Sequence, residues 1–357
     1  MTEFLVRRDD LRRWRIDDDG EPVEPRAGDV VLRVERFGLT ANNVTYGAFG
    51  DMMGYWRFFP APDGWGRIPV WGFGDVVASA VDGIAEGDRF FGYFPMASYA
   101  TMRAEPDAGG FAEASDGRAT LPATYNRYLR ATPERGFDPA HDDVAVVMRV
   151  LYLTGWLIAN QLERAGFNDA ASVVLSSASS KTAFATAFEI ARRDPRPHVV
   201  GLTSPANRAF CEGLGCYDQV VTYDDLASLP LDGGIAYVDM AGGSDLRRAV
   251  HEQAGDALHS SLMVGATQWE GAAPAGDDLP GPTPEFFFAP AQSDALTADL
   301  GRGELQRQIG EAWTAFAARV PDLLSIERAT GAEALARTYD DLLEGRADPR
   351  KGYVFSL

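Results

Sequence analysis

VVLSSASSKTAFATAFEIARR, residues 173–193, decides the fold. It opens with three large apolar residues, as a strand buried on both faces does. Small polar residues fill 176–182, and apolar residues then recur at helical spacing to Ile190. Strand, polar turn and helix form the layout of a nucleotide-binding βα corner. There the main-chain N–H groups and the positive end of the helix dipole attract a phosphate. Ser177, Ser179, Ser180 and Thr182 would add hydroxyl donors, and Lys181 a full positive charge. The glycines that let such turns approach a phosphate closely are missing. A plainer alternative is a serine that merely caps the helix. A P-loop is excluded, because the two positions that need glycine hold Leu175 and Ser180. The phosphate site is the preferred reading.

Outward from this corner, strand-like and helix-like pieces alternate. HVVGLTS precedes PANRAFCEGLG; DQVVTY, GGIAYVDMAG, SDLRRAVHEQAG, HSSLMVGAT and EFFFAP follow in order. Nearly all-apolar strands alternating with helices predict a parallel sheet covered on both faces, here a doubly wound dinucleotide-type domain. Before it, VAVVMRVLYLTGWLIANQLERAG (144–166) predicts a helix ending at Gly166. Residues 1–100 are β-rich, with closely spaced glycine and proline, as in a barrel of short strands. The tail reads strand, helix, strand, which suggests a return to the first domain. The expected division is 1–140 completed by 302–357, and 141–301.

The chain of 357 residues is 46% hydrophobic and 24% charged, the mixture of a globular protein with a substantial core. Its net charge of −19 argues against nucleic acid and anionic membranes as partners. Lys181 and Lys351 are its only lysines. Cys211 and Cys216 fit neither a disulfide framework nor a structural zinc site. No secretory h-region and no run of about 18 apolar residues is present, so a cytoplasmic protein is expected.

The end of the second strand, GLTSPANRAF, offers Thr203, Ser204 and Arg208 and no carboxylate. An NAD site places an acid there for the ribose hydroxyls, so NADP(H) is favoured, with Arg208 or Lys181 facing the 2′-phosphate. An ordinary capped helix starting at Ser204 is the alternative.

Three longer stretches carry a family resemblance: GDVVLRVERFGLTANNVTYGAFGD (28–51), IPVWGFGDVVASAVDGIAEGDRFFGY (68–93) and VVGLTSPANRAFCEGLGCYDQVVTYDD (199–225). With the closing strand–helix–strand, they resemble the medium-chain dehydrogenase/reductase superfamily, in its zinc-free quinone oxidoreductase and enoyl reductase branch. YWRFFPAPDGWGRIPVWGFG and LPGPTPEFFFAP look like an uncharacterised subgroup with that fold. The resemblance implies a GroES-like β-barrel-type domain joined to a Rossmann domain. Gly72-Phe73-Gly74 stands where zinc-dependent members carry Gly-His-Glu, and no cysteine lies in Thr40–Asn42, so no metal is expected.

The resemblance places Asn42, Asn43 and Tyr46 at the floor of the substrate cleft, with Tyr55 in an adjoining loop. Tyr46 is the expected proton donor and Asn42 a positioning group; ordinary turn chemistry and core packing are the alternatives. It further assigns cofactor contacts to Thr154, to Met240, Ala241 and Gly242, to Gly265, Ala266 and Thr267, and to Phe288. The aromatic residues between Tyr55 and Phe94 are read mainly as core, with several lining an apolar cleft. The expected activity is metal-free, NADPH-dependent hydride transfer to an enone, quinone or enoyl-type hydrophobic small molecule. A binding or regulatory protein, or a nicotinamide-independent enzyme on the same scaffold, is the alternative. The resemblance also implies a homodimer formed through the sheet edge.

Overall fold

The computed structural model describes residues 1–18, 20, 24–264 and 279–357, and divides into two compact units. Unit 1 comprises Met1–Val147 and Leu324–Leu357, and unit 2 comprises Met148–Leu323.

Unit 1 begins with β1 (Glu3–Arg7) and β2 (Trp14–Asp17), an antiparallel pair. Then come β3 (Asp29–Leu39), α1 (Ala41–Ala48), and β4 (Trp65–Gly66), which joins β1. β5 (Pro69–Ser79), β6 (Arg89–Pro95), β7 (Tyr99–Asp107), β8 (Gly110–Glu113) and β9 (Arg127–Arg130) follow. The order β3-β5-β6-β9-β8-β7 closes when β7 pairs back onto β3, a six-stranded antiparallel barrel that leaves no free edge. β3 also accepts a strand from the tail, so it serves three neighbours. Register shifts at Val31/Leu32 and Val34/Arg36 bend it enough to do so. Phe90, Phe94, Phe111 and Tyr128 fill the interior, and Phe111 stacks on Tyr128 at 4.6 Å. A Cβ on Gly92 would lie 2.3 Å from the Tyr128 ring, so only glycine lets that ring pass.

α2 (Asp142–Arg164) leads into unit 2. There β10 (Ser172–Leu175), α3 (Lys181–Ala191), β11 (His198–Thr203), α4 (Arg208–Gly213) and β12 (Gln219–Thr222) form one half. β13 (Ile235–Asp239), α5 (Ser244–Ala254), β14 (Leu258–Met263) and β15 (Glu285–Phe286) form the other. The sheet is parallel, in the order β12-β11-β10-β13-β14-β15. The direction in which the chain adds successive strands reverses between β10 and β13, which makes their carboxyl ends the topological switch point. α3 packs closely on α2 because position 155 is glycine: a Cβ there would lie 2.7 Å from that of Ala185.

α6 (Ala289–Leu300), α7 (Arg302–Ala317) and α8 (Val320–Leu323) complete unit 2. The boundary therefore falls after 323 rather than before 302. Trp313 and Phe316 of α7 pack on Tyr152, at 5.4 and 4.6 Å, and Phe316 on Phe184 at 5.1 Å, which ties that helix to the parallel sheet's cover. The chain then returns to unit 1 through β16 (Ser325–Thr330), α9 (Ala332–Leu343) and β17 (Lys351–Ser356). β17 pairs with β3, and Tyr339 of α9 donates to the Leu11 carbonyl at 3.0 Å. No described helix is long and apolar enough to cross a membrane.

Candidate functional site

The corner after β10 uses its hydroxyls for several different tasks. Ser176 is fully buried; it donates to Asp239 Oδ1 at 2.9 Å and accepts the main-chain N–H groups of Met240 (2.9 Å) and Ala241 (3.0 Å). Asp239 Oδ1 also takes the N–H groups of Ala241 and Gly242, at 3.1 and 3.0 Å. Its other oxygen receives Arg247 Nε at 2.9 Å, and Arg247 reaches the Gly242 carbonyl. Both ion-pair side chains are buried. This network locks the two strand ends at the switch point. Met240, Ala241 and Gly242, expected as cofactor contacts, spend these N–H groups within the protein.

Ser177 adopts a left-handed backbone, with φ of 49°, where a glycine would sit without strain. Its N–H donates to the Tyr223 hydroxyl at 3.1 Å. Ser180 is the N-cap of α3, its Oγ accepting from Ala183 N–H at 3.2 Å. Ser179 Oγ accepts from Asn207 at 3.1 Å. Ser179, Ser180, Lys181 and Thr182 are all half-buried, and among the described residues no group accepts the main-chain N–H of Ser179 or Thr182. A helix start with such donors and an ammonium suits an anion.

At the end of β11, Thr203 is 1% exposed and lies against Cys211, so its hydroxyl is part of the core rather than of a ligand surface. Burial pushes the Cys211 thiol up to about 11. Ser204 is half-buried ahead of the 3-10 turn Pro205–Asn207. Arg208 is exposed and pairs with Glu212 at 2.9 Å. Thr154 lies on α2 with its hydroxyl bonded to the Val150 carbonyl at 3.1 Å, and half-buried Phe288 precedes α6. Gly265, Ala266 and Thr267 lie outside the described residues. Among the described residues, no group of three or more His, Cys, Asp or Glu side chains is placed to hold a metal ion.

In unit 1, α1 carries Asn42, Asn43 and Tyr46, and the structure separates their roles. Asn43 is buried; its Oδ1 takes the Thr40 N–H at 2.8 Å and its Nδ2 donates to the Pro69 carbonyl at 2.9 Å. It is a helix cap, as turn chemistry allows, and its amide is committed to main-chain partners. Asn42, one turn before Tyr46, is half-buried. Trp71 Nε1 donates to the Tyr46 phenol oxygen at 3.2 Å.

Tyr46 packs on Tyr55 (4.7 Å between centroids) and edge-on against Tyr93 (5.5 Å) and Tyr125 (6.3 Å). The Tyr55 and Tyr125 hydroxyls lie 3.4 Å apart. Burial, aided by Tyr55, pushes the Tyr46 phenol well above its ordinary value; the hydrogen bond from Trp71 acts the other way. These rings, with Phe58, pack on one another as core instead of lining an open apolar wall.

Asp239, Arg247 and Tyr223 escape the sequence reading. Of these, Asp239 alone carried a signal: a carboxylate ending the apolar run IAYV must find a partner when buried.

A closed antiparallel barrel and a doubly wound parallel sheet make up the two units. The chain belongs to the family described as "Protein of unknown function (DUF2855)", whose model matches residues 37–348. A search of curated proteins finds no match.

Among solved structures, CurA from Vibrio vulnificus in complex with NADPH is similar, with a TM-score of 0.64 at 15% identity, covering 100% of this chain and 99% of that one. The yhdH oxidoreductase from Salmonella enterica in complex with NADP gives 0.56 at 15% identity, with 100% of both chains covered. The quinone oxidoreductase from Coxiella burnetii gives 0.53 at 17% identity, over 100% of this chain and 99% of that one.

Proposed function

We propose that the chain is an NADP(H)-dependent oxidoreductase that reduces an activated C=C, quinone or carbonyl group of a hydrophobic small molecule, without a metal. The half-buried start of α3 carries this reading: Lys181 and the hydroxyls of Ser179 and Thr182 lie at the switch point of a 3-2-1-4-5-6 sheet. The similarity in fold to structures holding NADPH or NADP supports it. So does the absence of a carboxylate at Thr203–Ser204, with Arg208 near enough in sequence to serve a 2′-phosphate.

The cofactor, when bound, supplies a hydride. Lys181 and the α3 hydroxyls would hold its phosphates. Tyr46 would give a proton to the enolate left by hydride addition to a conjugated carbonyl, and Asn42 would position that phenol. Exposed Phe286 on the edge strand β15 supports a homodimer.

One observation favours the alternative, a protein that binds no nicotinamide: Tyr223 already occupies the Ser177 N–H. Titration with NADPH, read by tryptophan fluorescence and calorimetry, decides between the two. Saturable binding that Lys181→Ala weakens at least tenfold supports the oxidoreductase. No binding at millimolar NADPH refutes it.

A further inference from the structure

We infer that Tyr223 and Asn207 act as a latch over the adenosine side of the switch-point crevice, one that must swing aside before a dinucleotide can settle there. The inference rests on the reading of the chain as an NADP(H) enzyme and deepens it, because it concerns how that same site opens.

Three consecutive residues after Ser176 are each held by a side chain from the β11–β12 side of the sheet. Ser177 donates its N–H to the Tyr223 hydroxyl at 3.1 Å. Ala178 receives the Tyr217 hydroxyl on its carbonyl at 2.8 Å, and Ser179 Oγ accepts from Asn207 Nδ2 at 3.1 Å. Asn207 lies in the turn after β11, Tyr217 shortly before β12, and Tyr223 directly after it. Ala178 N–H also bonds the Leu202 carbonyl, at 3.1 Å, so the corner leans on the end of β11.

Sheet order gives these bonds a meaning. β11 lies between β12 and β10, and neighbouring strands run about 4.8 Å apart. A phenol that starts beside β12 and reaches the turn after β10 therefore crosses the carboxyl end of β11. In a doubly wound sheet, that strand end is where the ribose hydroxyls of a dinucleotide are read. Tyr223 N–H bonds the carbonyl of Thr203, the last residue of β11, at 2.9 Å, which fixes the base of the side chain.

The three contacts differ in how readily they open. Tyr217 is wedged: its ring packs with Ala178, Cys211 and Val220, and a Cβ on Gly201 would lie 2.9 Å from it. It anchors the corner. Tyr223 and Asn207 are half-buried, and each holds the corner through a bond between uncharged groups. Breaking one such bond lowers affinity about two- to tenfold, so the latch weakens dinucleotide binding without abolishing it.

Tyr223→Phe keeps the ring and removes the hydroxyl that tethers it. Asn207→Ala removes the second tether, and carries the test if Tyr223→Phe does not fold. In calorimetric titration each variant should bind NADPH about two- to tenfold more tightly than wild type, and the double variant more tightly than either. Hydrogen exchange at the Ser177 amide, measured on the protein alone, should be faster in Tyr223→Phe than in wild type. Unchanged exchange, or affinities that stay equal or fall in folded variants, would overturn the latch; a fall would mean that these side chains hold the cofactor instead of barring it. The two readings fail differently. NADPH bound by wild type and no more tightly by the variants sinks the latch alone, whereas no binding by any of these proteins sinks the oxidoreductase and the latch together.

Discussion

Replacing Arg247 with methionine should unlock the switch point of unit 2. The wild-type guanidinium donates to Asp239 Oδ2 at 2.9 Å, with side-chain exposures of 4% and 0% for the pair. Methionine fills most of the volume, so the cost is mainly electrostatic. One charge-assisted bond lost is worth about 1.5–3 kcal/mol. Removing one partner of a buried pair typically costs about 3–5 kcal/mol, because the other charge is stranded. Here the stranded carboxylate keeps Ser176 and two main-chain donors on Oδ1, which places the expected loss near the lower end, about 3 kcal/mol. At roughly 2–4 °C per kcal/mol for a unit of this size, the midpoint should fall by about 6–12 °C. Thermal melting measures the midpoint and urea unfolding the free-energy loss, both followed by tryptophan fluorescence, to which Trp156 and Trp313 of unit 2 contribute. Asp239→Asn should cost at least as much, since it strands a cation, and the double variant should cost about 2 kcal/mol less than the sum. Single losses below about 1 kcal/mol, or strictly additive ones, would refute the claim that a desolvated ion pair holds this turn.

Three further outcomes follow from the geometry. Ser177→Gly should stabilise the chain by about 0.5–1 kcal/mol, because it relieves a left-handed serine at φ of 49° at some entropic expense; a lower urea midpoint would contradict this. Gly155→Val should destabilise by about 2 kcal/mol or more, since its Cβ would meet Ala185 Cβ at 2.7 Å and Thr186 N at 2.8 Å, and an unchanged melting midpoint would show that α2 and α3 can separate freely. His251 is fully buried between the Pro280 carbonyl and Ser261 Oγ, and desolvation, with Arg247, lowers its pKa below the ordinary 6.5. The unfolded chain therefore takes up this proton first: the stability is intact above about pH 6.5, declines as pH falls below it, and is gone below the folded pKa. Unfolding at about pH 7 and pH 5 should show a smaller acid loss in His251→Gln than in wild type.

The parallel sheet is legible in the sequence because each of its main strands is an apolar run with a polar stop, and buried strands need no alternation to be read. The helix α3 is legible for the same reason, and Ser180 as its cap follows from the residue types. What the sequence hides is the partnering of hydroxyls. SSASSKT gives no sign that Ser176 points inward to Asp239, that Ser177 turns the chain, or that only part of the run faces outward. Those roles depend on Asp239, Tyr223 and Asn207, each delivered by a different strand or loop. The Asn-Asn pair of α1 shows the same limit: neighbours of one residue type divide into a buried cap and a half-buried neighbour because successive helical positions face about 100° apart. Residue 302 as a boundary fails because α7 is amphipathic in either unit; only the partners of Trp313 and Phe316 decide which one it covers.

This division of labour also explains how a corner can lack glycines. A glycine-rich turn brings main-chain N–H groups to a phosphate by removing side chains from the path. Here the N–H groups nearest the switch point are already satisfied: Met240, Ala241 and Gly242 by Ser176 and Asp239, and Ser177 by Tyr223. Close backbone approach at those positions would therefore gain little. On the proposed reading, anion recognition would fall to the next turn outward, where Lys181 would supply the charge and Ser179 and Thr182 hydroxyls and main-chain donors. Such a site should depend on side-chain charge more than a glycine loop does. NADPH affinity should accordingly fall steeply with added salt and with Lys181→Ala, and respond weakly to Ser177→Gly. The reverse ranking would mean that the backbone of the turn, and not its ammonium, carries the phosphate.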